Sequence, residues 1–242
     1  VPTPPRDVPD LLARLVAADP GRPRITVYDD TDGPTRGERV ELSARVLANW
    51  VAKAGNLLQE ELDAGPGTVV RLDLPPHWRT LYWALAVWSV GACVDLTDGA
   101  DDGHTADVLV TDDRAAAAAA DGDTVLVTLA ALARSAPGGA PAGAVDEARD
   151  LATHGDVLDP WAAPAPGDPA LRTDDEVVPH GGLLPAGAGP ERWHTAGTTT
   201  AAFLRLALAA LTGDGSLVLT RGVPAPDVLD RRLVSEGVTA SA

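Results

Sequence analysis

The stretch "WHTAGTTTAAF" at residues 193–203 brings together a histidine, a glycine and a run of threonines separated by small residues. Small residues let backbone amides approach an anion, and a helix starting at the threonines would add the positive end of its dipole. His194 can act as a base or line a pocket with Trp193 as its wall, and Thr195, Thr198, Thr199 and Thr200 can offer hydroxyls to an anion. The plainer alternatives are a partly buried His194 bonded to a backbone carbonyl and threonines that cap a helix. The candidate ligand-binding residues are therefore Trp193, His194, Gly197 and Thr198. No catalytic or metal-ligating residue is assigned.

Other residues with chemical potential have quieter surroundings. His77 follows two prolines at a helix start and reads as structural, while His104, His154 and His180 lie in acidic or glycine-rich stretches and read as solvated. "DDGHTAD" (residues 101–107) has ligand-type residues without the spacing of a calcium or zinc site. Cys93, the one cysteine, excludes an intramolecular disulfide, and its apolar neighbours predict an inert thiol. No GxSxG elbow, CxxC pair or GxGxxG fingerprint occurs.

Charge and length limit the partners. Acidic residues number 35 against 19 basic ones, a formal net charge of -16, which repels nucleic acid and anionic membrane surfaces. The longest apolar run, residues 81–94, is shorter than the ~20 residues needed to cross a bilayer. The first residues show no basic segment leading into an apolar one, so a soluble cytoplasmic protein is expected. One of the 19 basic residues is a lysine, Lys53.

The elements that must position these residues follow from periodicity. "RITVYDD" and "RGERVEL" flank the turn sequence "TDGPT" and predict a hairpin. Ser43 then caps a helix whose apolar face is Leu47, Trp50, Val51, Ala54, Leu57, Leu58 and Leu62, with Lys53, Gln59 and Glu60 off it. "GTVVRLDL", "PPHWRTLYWALAVWSVG" and "ACVDL" form a strand, helix, strand unit, and "ADVLVTDD", the alanine run at 115–120 and "DTVLVTL" repeat it. Trp78, Trp83 and Trp88 recur every five residues, which suits a helix buried on more than one side. Proline and glycine clusters make residues 135–190 a loop-rich connector, with a short helix near 145–152. Residues 199–213 read as a helix, 216–220 as a strand and 225–237 as a last helix. The predicted class is α/β, a doubly wound, mostly parallel sheet with helices on both faces. The predicted divisions are a first subdomain at 1–134, the connector at 135–190 and the remnant of a second subdomain at 191–242.

This order, with the residues that fill it, resembles the N-terminal part of the adenylate-forming enzymes: acyl-CoA synthetases, the adenylation domains of peptide synthetases, and luciferases. "ELSARVLANWVAKAGNLLQEELDAGPGTVVRLDL" is similar to the family's "YxELxxRxxxLAxxL" helix and "GDRVAL" strand, and "VWSVGACVDL" to its "AxxKAGAxxVPL". "DVLVTDD" looks like the strand where the family's chain re-enters the sheet. "ALTGDGSLVLTRGVPAPDVLDRRLVSEGVT" is similar to "LxxGxxxVLxxxFxPxxxLxxIxxxxVT". The chain is identified as a short actinobacterial type of relative of these AMP-binding enzymes.

The resemblance gives "HTAGTTT" two alignments. It imitates the first half of the family's phosphate loop, "YTSGTTGxPKG", but Ala201, Ala202, Phe203 and Leu204 stand where the glycine, proline and lysine belong. Trp193 to Gly197 also fits the family's aromatic-His-x-x-Gly stretch, in both spacing and type, with His194 near the acyl group. On that second alignment the phosphate loop should follow "GDPAL". There "RTDDEVVPHGG" offers three acidic residues in a row and no lysine.

The resemblance thus implies a degenerate, truncated pseudoenzyme acting as a binding or interaction module for a small acyl or nucleotide ligand, with no cofactor. The alternative is half of a split carboxylate-adenylating ligase, which would need ATP or AMP, magnesium and a partner chain. An uncovered sheet edge predicts a homodimer or a protein partner.

Overall fold

The computed structural model describes residues 3–97 and 106–242 and shows an α/β fold with two mostly parallel sheets and flanking helices. In chain order the elements are α1 (Val8–Ala18), β1 (Pro23–Asp29), β2 (Arg39–Ser43), α2 (Ala44–Glu60), β3 (Val69–Asp73), α3 (Trp78–Ser89) and β4 (Cys93–Asp95). There follow β5 (Val108–Thr111), α4 (Arg114–Ala119), β6 (Asp123–Leu126), β7 (Ala144–Asp146), α5 (Glu147–Asp150), β8 (Pro169–Arg172) and β9 (Val177–Pro179). The chain then forms β10 (Arg192–Ala196), α6 (Thr200–Thr212), β11 (Ser216–Arg221), α7 (Pro226–Ser235) and β12 (Ala240–Ser241). The helix α1 was not among the predicted elements, although Asp7 accepts from the Asp10 amide as its N-cap and Leu11, Leu12 and Leu15 are buried.

The elements form two compact units. The first is Val1–Ala48, Pro76–Leu81 and Leu184–Ala242, and the second is Asn49–Pro75 and Tyr82–Leu183. The predicted boundaries at 134 and 190 differ from this division. Sheet pairing is the reason: the N-terminal strand β1 pairs in parallel with β11, so the start of the chain folds with its last elements. Within the predicted loop-rich connector, β7, α5, β8 and β9 belong to the second unit, and α5 lies in the predicted short helix.

In the first unit the strand order is β12-β10-β11-β1-β2, with β2 antiparallel to β1. From β10 the chain passes through α6 to β11 on one side and then through α7 to β12 on the other. Right-handed crossovers in opposite directions put α6 and α7 on opposite faces of the sheet. Parallel register assigns the side chains to these faces: Ile25, Leu217 and Trp193 align on one, and Thr26, Val218 and His194 on the other. The first face is apolar, and α6 buries Phe203, Leu204, Ala207 and Leu208, packed beside α1.

The α6 to β11 turn is unusually close. Asp214 has a φ of 60°, and buried Arg24 donates to its carbonyl at 2.9 Å and to that of Gly215 at 3.1 Å. A Cβ at Gly215 would lie 2.5 Å from the Glu191 carbonyl oxygen and 2.9 Å from that of Gly189. The glycines of "LLPAGAGP" let this backbone pass against the turn.

In the second unit the order is β7-β6-β5-β3-β4-β8-β9, and β8 with β9 is the antiparallel pair. The helix α3, whose first four residues are assigned to the first unit, buries Trp78, Trp83 and Trp88, as the five-residue recurrence predicts. Residues 152–161 are strapped to α2. Asn56 donates to the carbonyls of Gly155 and Val157 at 3.1 and 3.0 Å, and Gln59 accepts the Trp161 amide at 3.0 Å. His154 is not solvated: its side chain is 7% exposed, with ring nitrogens 3.3 Å from Glu60 and 3.0 Å from Glu61.

Gly215→Ala should lower unfolding free energy by about 1–3 kcal/mol, because the new methyl meets backbone that cannot move aside. Urea denaturation checks this, and a shift of the midpoint at constant slope is the expected form.

Candidate functional site

The reversal of strand order at β10 makes its carboxyl end the place where an open α/β sheet binds ligands. There the sequence turns from β10 into α6 through Gly197, whose φ is 60°. Thr199 is the N-cap, its hydroxyl accepting from the Ala202 amide at 3.2 Å. The Thr198 hydroxyl donates to the Thr199 carbonyl at 3.3 Å. The threonines thus include a helix cap, and the first turn of α6 can attract an anion through its dipole.

The structure separates the other two candidates. Trp193 and His194 are neighbours on one strand, so their side chains point to opposite faces and form no common pocket wall. His194 is 7% exposed, and its Nε2 is 3.1 Å from the Thr220 hydroxyl rather than a backbone carbonyl. Burial lowers its pKa, so the imidazole is neutral and is paired with a hydroxyl instead of an acid. Trp193 has its indole nitrogen buried without an acceptor among the described residues.

A second polar group lies at the carboxyl ends of β1 and β11, where Asp29 and Arg221 are register partners. Arg221 forms an ion pair with Asp29, which also accepts the Thr31 amide at 2.9 Å. Burial works to raise the Asp29 pKa, but hydrogen bonds from Thr31 and Thr35 and the Arg221 charge outweigh it and hold the carboxyl below its usual range. His77 is 2% exposed and its Nδ1 accepts the Arg79 amide at 3.4 Å. Burial, aided by the Arg221 and Arg79 charges, pushes its pKa down to about 3. No local sequence signal joins Asp29, His77 and Arg221, because tertiary pairing alone makes them neighbours.

The remaining residues with chemical potential are occupied or shielded. Lys53 Nζ donates to the Ala152 carbonyl at 3.1 Å and to that of His154, and pairs with Asp156 at 2.9 Å. Cys93 is buried, and burial pushes its thiol up to about 11. His180 is half-buried, not solvated, and burial lowers its pKa. Most of "DDGHTAD", with His104, lies outside the described residues. Among the described residues no group of three or more His, Cys, Asp or Glu side chains could hold a metal. No helix among them is long and apolar enough to cross a membrane.

No protein-family model matches the chain. Over 236 residues it is 36% identical to a TIGR03089 family protein of Mycobacterium tuberculosis, covering 95% of each chain. The chain belongs to the TIGR03089 family. Among solved structures, this TIGR03089 chain is similar to an acyl-CoA synthetase from Brucella canis, with a TM-score of 0.71 and 16% identity over 96% of its length. An acetoacetyl-CoA synthetase from Streptomyces lividans gives a TM-score of 0.74 and 19% identity over 97%. The N-terminal subdomain of NpsA from Klebsiella oxytoca gives 0.64 and 20% over 98%. At these identities the likeness is one of fold, and the fold is that of the N-terminal part of the adenylate-forming enzymes. The chain spans 46% and 42% of the two synthetases and 58% of the NpsA subdomain.

One local feature of this TIGR03089 chain bears directly on the implied phosphate loop. After "GDPAL", β8 and β9 pair antiparallel across a short turn, in which the Thr173 amide donates to the Glu176 carbonyl at 3.0 Å. Asp174 and Asp175 are exposed at its tip. The segment is a tight acidic hairpin, not a glycine-rich loop with inward amides.

The depressed His77 pKa has a definite sign in stability. Unfolded chain takes up a proton near pH 6.5 that folded His77 refuses until about pH 3, so stability is lost as pH falls through that window. Urea unfolding at pH 7 and 5 should show this loss, with His77 contributing at most about 1.4 kcal/mol per pH unit. In His77→Asn the loss should be smaller.

Proposed function

We propose that this protein is a non-catalytic binding module on the adenylate-forming fold. The acidic hairpin that follows "GDPAL" carries this reading. A triphosphate brought there would meet Asp174, Asp175 and Glu176 in succession, and like charges repel it. The lysine that could have offset them, Lys53, is held by two carbonyls and Asp156 in the second unit. Each preorganised charge missing from a transferring phosphoryl group costs ~10²-fold or more in rate. The switch point at β10 supports a small-molecule role for Gly197, Thr198 and the first turn of α6, with neutral His194 and Trp193 on either side of the strand.

Half of a split synthetase is the alternative function, supported by the 46% and 42% of the solved synthetases that the chain spans. The two functions part in one pair of experiments. Calorimetry of the purified chain with MgATP should give no saturable heat, and ATP–pyrophosphate exchange with a broad panel of carboxylic acids should stay at background. Exchange that appears on adding a separately encoded C-terminal adenylation fragment would establish the split enzyme, and exchange by the chain alone would reject both.

A further inference from the structure

Away from the β10 turn, the first unit has an open cleft of about 670 Å³ where the end of α7 meets the polar face of the sheet. Among its lining residues are Arg22, Tyr28, Arg39, Glu41, Arg192 and Glu236. Glu236, directly after α7, reaches into a ready-made clamp. Its Oε1 accepts from the Tyr28 hydroxyl at 2.6 Å and from Arg39 Nε at 2.9 Å, while Oε2 accepts from Arg192 Nη2. Burial works to raise the Glu236 pKa, but the hydrogen bonds from Tyr28, Arg192 and Arg39 prevail and hold the carboxyl below its usual range.

We propose that this cleft binds a small carboxylate, which takes the Tyr28, Arg39 and Arg192 donors over from Glu236. Three observations converge on this assignment. The clamp already holds a carboxylate, so its donors have the spacing and planarity that group requires. Arg22, Arg39 and Arg192 line the cleft with Glu41 and Glu236, three cations against two anions, in a chain of net charge -16. Arg192 Nε is buried with no acceptor among the described residues, so the groups around this guanidinium do not fully satisfy it. Glu236 is also the natural group to yield. It follows a helix C-terminus, where the dipole disfavours a carboxylate, and α7 has no buried residue to anchor it.

The test is titration with succinate at constant ionic strength, chloride and inorganic phosphate serving as controls. The arginine Nε–H resonances of Arg39 and Arg192 should shift saturably with succinate in the millimolar range. Glu236→Gln, which removes the charge of the internal competitor, should bind succinate ~10-fold tighter. No saturable shift up to about 10 mM in the wild-type chain would overturn the proposal whether or not the variant folds. Phosphate binding as tightly as succinate would overturn the carboxylate assignment, and so would an unchanged or weaker affinity in a folded Glu236→Gln.

Discussion

The parallel pairing of β1 with β11 is the contact on which the first unit depends. It joins residues as far apart as Asp29 and Arg221, 192 positions along the chain, and so carries a loop-closure cost that local elements do not. Apolar register offsets that cost: Ile25 and Val27 align with Leu217 and Leu219, all buried. Once β1 is in place, its hairpin partner β2 brings Arg39 and Glu41 to the same sheet as Arg192 of β10. The polar group around His77 and the cleft beside Glu236 both follow from this pairing.

Electrostatics then decides what the surfaces can bind. In a chain this acidic, the cations are drawn into internal pairs: Arg221 with Asp29, Arg232 with Asp30, Arg71 with Asp95, and Lys53 with Asp156. These pairs fix strand ends and the strap on α2, and a cation so engaged is not available to a phosphate. The cleft at Glu236 differs in degree, because more guanidinium groups gather there than carboxylates to match them. On that face of the sheet helix α7 is held by such donors more than by apolar burial.

Much of the fold is legible in residue order. The apolar stripe from Leu47 to Leu62, the three tryptophans of α3 and the βαβ spacing through "ACVDL" each carry a local periodicity that matches an observed element. The likeness to the adenylate-forming enzymes rests on the same local segments, and the solved neighbours have that fold. The hidden parts were those without a local period. Residues 152–161 look like loop because their order comes from Lys53, Asn56 and Gln59, about a hundred positions earlier. His154 looked exposed for the same reason.

At the candidate site the residue types were visible and their directions were not. Trp193, His194, Gly197 and Thr198 could be singled out from composition and spacing, since small residues before a helix are a local property. That Trp193 and His194 diverge follows from the pleat of β10, and that His194 meets Thr220 follows from register with β11. The chain's order fixed where strands and helices form, because each needs only near neighbours to satisfy its backbone and bury one face. Which strands lie side by side, and therefore which charges meet, was settled by long-range pairing, because a side chain's electrostatic partners are set by distance in space and not by distance along the chain.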